Sequence, residues 1–239
     1  MFCLMSFAAE LHSNPYLQDA RPELVAKRVY IERSLMLKAL AFNCSLKSSS
    51  GGETSSTEAL LSQLISQLHC NGVETEVVRA VDHDIKPGTD HDMGNGDAWP
   101  AIRAKLLAAD VVVIATPIWL GQPSSVAKRV LERIDAFIEE LDEKNRLPTF
   151  GKVGLVAVVG NEDGAHHVAA EIYQAMNDLG FSLAPTAVTY WVGEAMTGKE
   201  YSEFEEPPEK VALASAMAAS AAAHLAKLLS ANPYPGSAK

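Results

Sequence analysis

No two cysteines in this 239-residue chain stand close together: Cys3, Cys44 and Cys70 are the only three. Without a C-x-x-C pair there is no sign of a disulfide framework or of a cysteine-held zinc or iron–sulfur cluster, and a reducing compartment fits best. G-x-G-x-x-G occurs nowhere, and no Gly-Lys-Ser/Thr completes a Walker motif, so neither a Rossmann fingerprint nor a P-loop is present. Positive charge is in deficit: 20 Lys and Arg against 30 Asp and Glu leave a formal charge of -10. That balance argues against a nucleic-acid backbone as partner. The apolar start MFCLMSFAAEL lacks the basic region of a secretory signal, and no later run reads as a membrane span. The expectation is a cytoplasmic protein with no nucleic-acid or membrane partner.

The chain also lacks Gly/Ser-rich or Pro-rich linkers between its periodic segments, and 48% of its residues are hydrophobic, enough for one full core. Residues 1–35 carry four basic residues (Arg21, Lys27, Arg28, Arg33) and four acidic ones (Glu10, Asp19, Glu23, Glu32). Pro22 suits the start of a short amphipathic helix there. This stretch reads as an N-terminal extension, either a subunit-contact arm or an ordinary tail. The domain proper is expected over residues 36–239.

Within that domain strand and helix patterns alternate. The organising stretch is VVVIATPIWLGQPSSVAKRVLER, residues 111–133. Its opening β-branched run, 111–115, is the mark of a central strand buried on both faces. The loop 116–125 then carries Pro117, Gly121 and Pro123, and Ser124 or Ser125 caps a helix. There Val126, Val130, Ile134, Phe137 and Ile138 recur at helical spacing, with Lys128, Arg129, Glu132 and Arg133 between them. Other strands are expected at 37–43, 73–78, 152–160 and 181–191. Other helices are expected around Leu60 to Leu68, from Pro100 to Ala109, over 165–179 and over 209–229. Segment 79–97 reads as polar and irregular.

Five strands alternating with five helices predict a doubly wound five-stranded parallel sheet in the order 2-1-3-4-5, with helices on both faces. This is the flavodoxin-like arrangement. It sets the loops after the first, third and fourth strands side by side at the switch point, where ligands bind in open α/β sheets.

Each of those loops offers chemistry. The first, 44–57, places Ser45, Lys47, Ser55, Ser56 and Thr57 at a helix start, whose free N–H groups and positive dipole end suit a phosphate. The same hydroxyls also fit a capping box, Ser55 to Glu58. The second presents Pro117, Ile118, Trp119, Leu120 and Gly121. In the third, Asn161, Glu162, Asp163 and Gly164 lead to His166 and His167, either of which can orient a nicotinamide or donate a proton; a surface pair is the alternative. Asp82-His83-Asp84 and Asp90-His91-Asp92 have the composition of metal ligands without a fixed spacing, so no metal site is expected.

Ser45-x-Lys47, Ser56-Thr57 at the helix start, and Thr116-Pro117-Ile118-Trp119-Leu120-Gly121 before an amphipathic helix together resemble the NADPH-dependent FMN reductase branch of the flavodoxin-like superfamily. The resemblance implies that Ser45, Lys47, Ser56 and Thr57 hold the FMN phosphate, that residues 117–121 line the isoalloxazine, and that the third loop closes its other side. Two departures stand out: Cys44 and Lys47 occupy the family's Gly and Arg positions, and the first loop is longer. The activity implied is FMN-dependent NAD(P)H oxidoreduction, with hydride transfer to flavin N5 and onward delivery to a small-molecule acceptor such as a quinone or free flavin. NADPH or NADH is the donor, and a homodimer or homotetramer is the implied state. Two other readings stay open: a flavodoxin-like electron carrier without nicotinamide turnover, and a flavin-free α/β domain.

Overall fold

The computed structural model describes residues 36–52, 54–195 and 198–237. The extension expected over residues 1–35 lies outside them. The elements run β1 (Leu37–Asn43), α1 (Ser56–Cys70), β2 (Val73–Arg79), α2 (Trp99–Leu107), β3 (Val111–Trp119), β4 (Gln122–Pro123), α3 (Ser125–Ile134), β5 (Val153–Gly160), α4 (Ala165–Asp178), β6 (Ser182–Val192) and α5 (Glu209–Ala231). Short 3-10 turns occupy Ser49–Gly51, Ala80–Asp82, Asp135–Glu139 and Tyr201–Glu203.

The strand order is β2-β1-β3-β5-β6, all neighbours parallel, with β4 paired antiparallel to β3 off that path. The sheet therefore has six strands where five were expected. The five long ones follow the anticipated order, and the extra one is a two-residue hairpin return. Val111, Val112, Val113 and Ile114 are all fully buried, as a strand covered on both faces requires.

Two apolar layers sandwich the sheet. On one face Leu106, Val130, Ile134 and Ile172 bring α2, α3 and α4 against it. On the other, Leu60, Leu64, Ala219 and Ala222 seat α1 and α5. Local signals end the elements as the chain chemistry dictates. Ser55 caps α1 by accepting from Glu58 N–H at 3.1 Å, and Gly72 follows its last turn at φ 79°, where a Cβ would be strained.

Helix α5 departs from expectation in one respect. At 23 residues, with an 18-residue window of mean hydropathy 1.4, it is long and apolar enough, by length and composition, to cross a membrane. One face packs on the sheet, where Ala218, Ala219, Ala222, Ala223 and Ala226 are buried and Ser215 hydrogen-bonds Thr189 of β6 at 2.8 Å, while Leu213, Met217 and Leu228 are exposed. Alanine's small side chain is what lets helix and sheet approach closely.

Candidate active site at the carboxyl ends of β1, β3 and β5

Asn43 closes β1, and its Oδ1 accepts from Ser45 N–H at 3.1 Å; Ser45 Oγ in turn accepts from Lys47 N–H at 3.1 Å. These two turns curl the chain away from the sheet. The loop is then fastened to the end of β2. Arg79 donates to the Lys47 carbonyl at 3.0 Å and pairs with Glu58 at 2.5 Å, while Asp82 Oδ1 accepts from Ser49 N–H at 3.0 Å. The bonds from Ser49, with Arg79 nearby, hold the Asp82 carboxyl below its ordinary range. Arg79 is not marked by the sequence, and Asp82 draws notice there only as part of an Asp-His-Asp segment, because each acts on this loop from another strand's end.

The hydroxyls around the start of α1 are unequal. Ser45, Ser55 and Thr57 are 3%, 4% and 3% exposed. Ser45 and Ser55 accept from backbone N–H groups, which leaves their protons without an acceptor among the described residues. The Thr57 hydroxyl makes no hydrogen bond among them. A hydroxyl whose proton is unclaimed can still donate, so the three together suit an anion that accepts at this helix terminus. Ser56 differs: its Oγ donates to Glu200 Oε2 at 2.8 Å. A carboxylate from the segment after β6 thus claims one of the expected phosphate hydroxyls.

The second loop is mostly strand. Thr116 to Trp119 continue β3, with Pro117 paired to Val159 of β5. Pro117 is tolerated because β1 stops pairing with β3 at Ala115, so the absent N–H breaks no ladder on that side. Leu120 and Gly121 make the turn at φ 54° and 73°, and Gln122–Pro123 return along Ile118 and Trp119. Ile118 is buried, whereas Trp119 is 53% exposed and Leu120 90% exposed. An apolar tip therefore projects at the carboxyl end of the sheet.

One buried serine joins this hairpin to the first loop. Ser124 N–H donates to Thr116 Oγ1 at 3.0 Å, Ser124 Oγ donates to the Cys44 carbonyl at 2.7 Å, and the same Oγ accepts from Ala127 N–H at 3.1 Å. It settles which of two serines caps α3 and ties β1, β3 and α3 at a point. Ser124→Ala is expected to lose a cap and a buried bond, about 1–2 kcal/mol of stability; denaturant unfolding measures it, and an unchanged midpoint would refute the tie. Cys44, beside it, is fully buried, and burial pushes its thiol up. It packs as a small hydrophobe, not as a reactive thiolate.

The third loop meets the hairpin through backbone. Gly164 has φ 128°, and a Cβ there would sit 3.0 Å from Gly121 Cα. Asp163 Oδ1 accepts from Gly164 N–H at 2.7 Å; Asn161 is exposed and Glu162 half-buried. The two histidines diverge. His167 Nε2 lies 2.8 Å from the Gln122 amide and 3.1 Å from Glu171 Oε1, and the amide, oriented with its oxygen on His167, donates to Glu171 at 2.9 Å. His167 therefore ties the hairpin to α4. His166 is exposed and meets the Tyr190 ring edge-on, 5.0 Å between centroids.

The two Asp-His-Asp segments do not converge. Asp82 serves Ser49, Asp84 pairs with Lys86 at 2.5 Å, Asp92 accepts from Gly94 N–H at 2.7 Å, and His91 faces Glu140 at 3.2 Å. Depressions of about 540 and 590 Å³ flank the edge strand β2, lined by Lys38, Glu76 and Lys105 on one side and by Ser62, Ser66 and His69 on the other. Neither involves the three loops.

A parallel sheet of this order, with its three loops gathered at the switch point, defines a flavodoxin-like α/β protein. The model of the NADPH-dependent FMN reductase family matches residues 37–195, and the chain belongs to that family. It is 38% identical over 178 residues to the 8-demethyl-8-aminoriboflavin-5'-phosphate synthase of Streptomyces davaonensis, an alignment covering 71% of this chain and 68% of the relative. A solved structure of RosB with the bound intermediate 8-demethyl-8-formylriboflavin-5'-phosphate is similar at 36% identity and a TM-score of 0.75, covering 83% of this chain and 82% of that one. The divalent metal cation transporter MntH of Mycobacterium bovis matches at 38% over 169 residues, which are 69% of this chain but 24% of the transporter. What that name describes belongs to a much longer protein.

Proposed function

We propose that this chain is an FMN-dependent NAD(P)H oxidoreductase that passes electrons to a second small-molecule acceptor such as a quinone or free flavin. The observation that supports it best is a set of three little-exposed hydroxyls in the first loop, Ser45 just after β1 and Ser55 and Thr57 at the start of α1, two with unclaimed protons and one whose hydroxyl makes no bond among the described residues. In this reading Ser45, Ser55 and Thr57, with Lys47, hold the phosphate. Lys47 contributes a point charge where the family has the bidentate fork of Arg. Pro117, Ile118, Trp119, Leu120 and Gly121 line one side of the isoalloxazine, and residues 161–164 the other.

When bound, FMN supplies the hydride-accepting and electron-donating chemistry; the chain supplies binding and orientation. His167 holds the hairpin in place through Gln122 and Glu171. That leaves His166, steadied against Tyr190, to orient the nicotinamide or to donate a proton to the acceptor. A second copy of the chain, in a homodimer or homotetramer, covers the apolar tip of Trp119 and Leu120.

The test is the visible spectrum of the purified chain supplied with FMN, then mixed anaerobically with NADPH or NADH. Rapid bleaching with one of them is the expected result and identifies the donor. Bound flavin that stays oxidised would replace this reading with the electron carrier, and failure to bind FMN would end it.

A second reading is favoured by the identity to the Streptomyces synthase, whose name and whose RosB counterpart's ligand are riboflavin-5'-phosphate derivatives altered at position 8. Here FMN is the substrate instead of the carrier. Mass spectrometry of the flavin recovered after aerobic incubation separates the two, since only the second changes the flavin's mass.

A further inference from the structure

The segment that follows β6 returns over the first turn of α1 and is built to stay there. Tyr201 is buried, donates its hydroxyl to Gln63 of α1, and packs against Trp191 and Phe204 at centroid distances of 5.4 and 6.0 Å. The 3-10 turn Tyr201–Glu203 is closed by a capping box between Glu200 and Glu203. These contacts fix Glu200, whose Oε2 accepts from Ser56 Oγ at 2.8 Å; Ser202 N–H approaches the same hydroxyl at 3.4 Å. A carboxylate is thereby held one hydroxyl from the terminus that offers Ser55 and Thr57 to an anion.

Among the described residues, the carboxylates of Glu58 and Glu200 both stand near that terminus, and they are not equivalent. Glu58 is paired with Arg79 at 2.5 Å. Glu200 has no cation within salt-bridge distance among the described residues, and its neighbour Lys199 lies over the Phe204 ring, 4.4 Å from the centroid. The helix dipole stabilises Glu200 where it is, but the same uncompensated charge opposes a phosphate arriving at the same terminus. Exposure keeps this opposition moderate and sensitive to salt.

We propose that Glu200 is a specificity and release determinant: its charge loosens the hold on the flavin phosphate, so that FMN is bound as an exchangeable ligand. This rests on the phosphate site proposed above. The effect acts on the phosphate end alone. It therefore falls on FMN and spares riboflavin, which has the same ring system and no phosphate. The neutral isostere Glu200→Gln keeps an acceptor for Ser56 and removes the repulsion.

The experiment is fluorescence titration of the full chain, stripped of flavin, with FMN and separately with riboflavin, for the wild type and Glu200→Gln, at low and high salt. The expected result is about tenfold tighter FMN binding by the variant at low salt, carried by slower release, a smaller gain at high salt, and no change for riboflavin. Glu200→Asp, which retains the charge, is expected to keep wild-type FMN release or nearly so. If the wild type prefers FMN to riboflavin but Glu200→Gln does not tighten it, the role of Glu200 is wrong and the phosphate site stands. If the wild type does not distinguish FMN from riboflavin, the phosphate site itself falls and the proposal with it.

Discussion

Arg133→Met is expected to cost about 3–5 kcal/mol of folding stability. Arg133 and Asp97 are joined at 2.7 Å with both side chains 0% exposed. The guanidinium also donates to the carbonyls of Lys86 and Asp90, at 2.8 Å each, and lies over the Trp99 ring, 5.5 Å from its centroid. Truncating it leaves Asp97 buried without its countercharge and releases segment 86–97 from α3. Denaturant unfolding measures the loss, and a change below about 1 kcal/mol would show that the carboxylate finds water instead.

The same pair sets an acid limit. Burial pushes the Asp97 carboxyl up, but donation from Met93 N–H, from the Arg133 guanidinium and from the Trp99 and Lys86 N–H groups outweighs it and brings the group to about 2. A depressed pKa means that this contribution is complete above the ordinary value of 3.8 and is lost as pH falls from there through about 2. The amount is about 2 kcal/mol. In Arg133→Met that acid-dependent component shrinks, so the unfolding free energies of variant and wild type converge as pH drops toward 2.

Gly164→Ala is expected to weaken FMN binding by about one to two orders of magnitude while costing about 1–3 kcal/mol of stability. The residue sits at φ 128°, where an L side chain is strained, and its new methyl would lie 3.0 Å from Gly121 Cα and 3.1 Å from Gly121 O. Backbone cannot swing aside as a side-chain end can. The third loop and the hairpin must separate, and both proposed walls of the ring site move. Flavin titration reads the affinity; a variant that loses stability but binds FMN normally would detach this contact from the site.

The parts of this architecture that announce themselves in sequence are local. Uninterrupted β-branched runs such as Val111 to Ile114, glycines after helices, and serines before them give elements and order with little ambiguity. The hairpin β4 was hidden because Thr-Pro looks like a strand's end, and only the end of β1 at Asn43, opposite Ala115, frees β3 to run on through a proline. Arg133 read as part of α3's solvated face. Its burial depends on Asp97, 36 positions away in a segment with no periodicity.

The site divides the same way. Ser45, Ser55 and Thr57 stand out as candidates because a loop running into a helix start has known chemistry. Glu200 does not, because 144 residues separate it from Ser56 and only the aromatic packing of Tyr201 brings them together. The divergent fates of His166 and His167 were likewise out of reach, since each is decided by a partner from another element, Tyr190 for one and Gln122 for the other.

The approach of Gly121 to Gly164 has a consequence for how this surface can change over generations. Where two loops meet through main chain, the spacing of the walls is written in backbone geometry and does not depend on the side chains displayed upon them. Trp119, Leu120, Asn161 and Glu162, all at least partly exposed, are then free to be exchanged without disturbing the frame. If these loops wall the proposed flavin site, such a frame allows its lining to drift while the two glycines stay as they are.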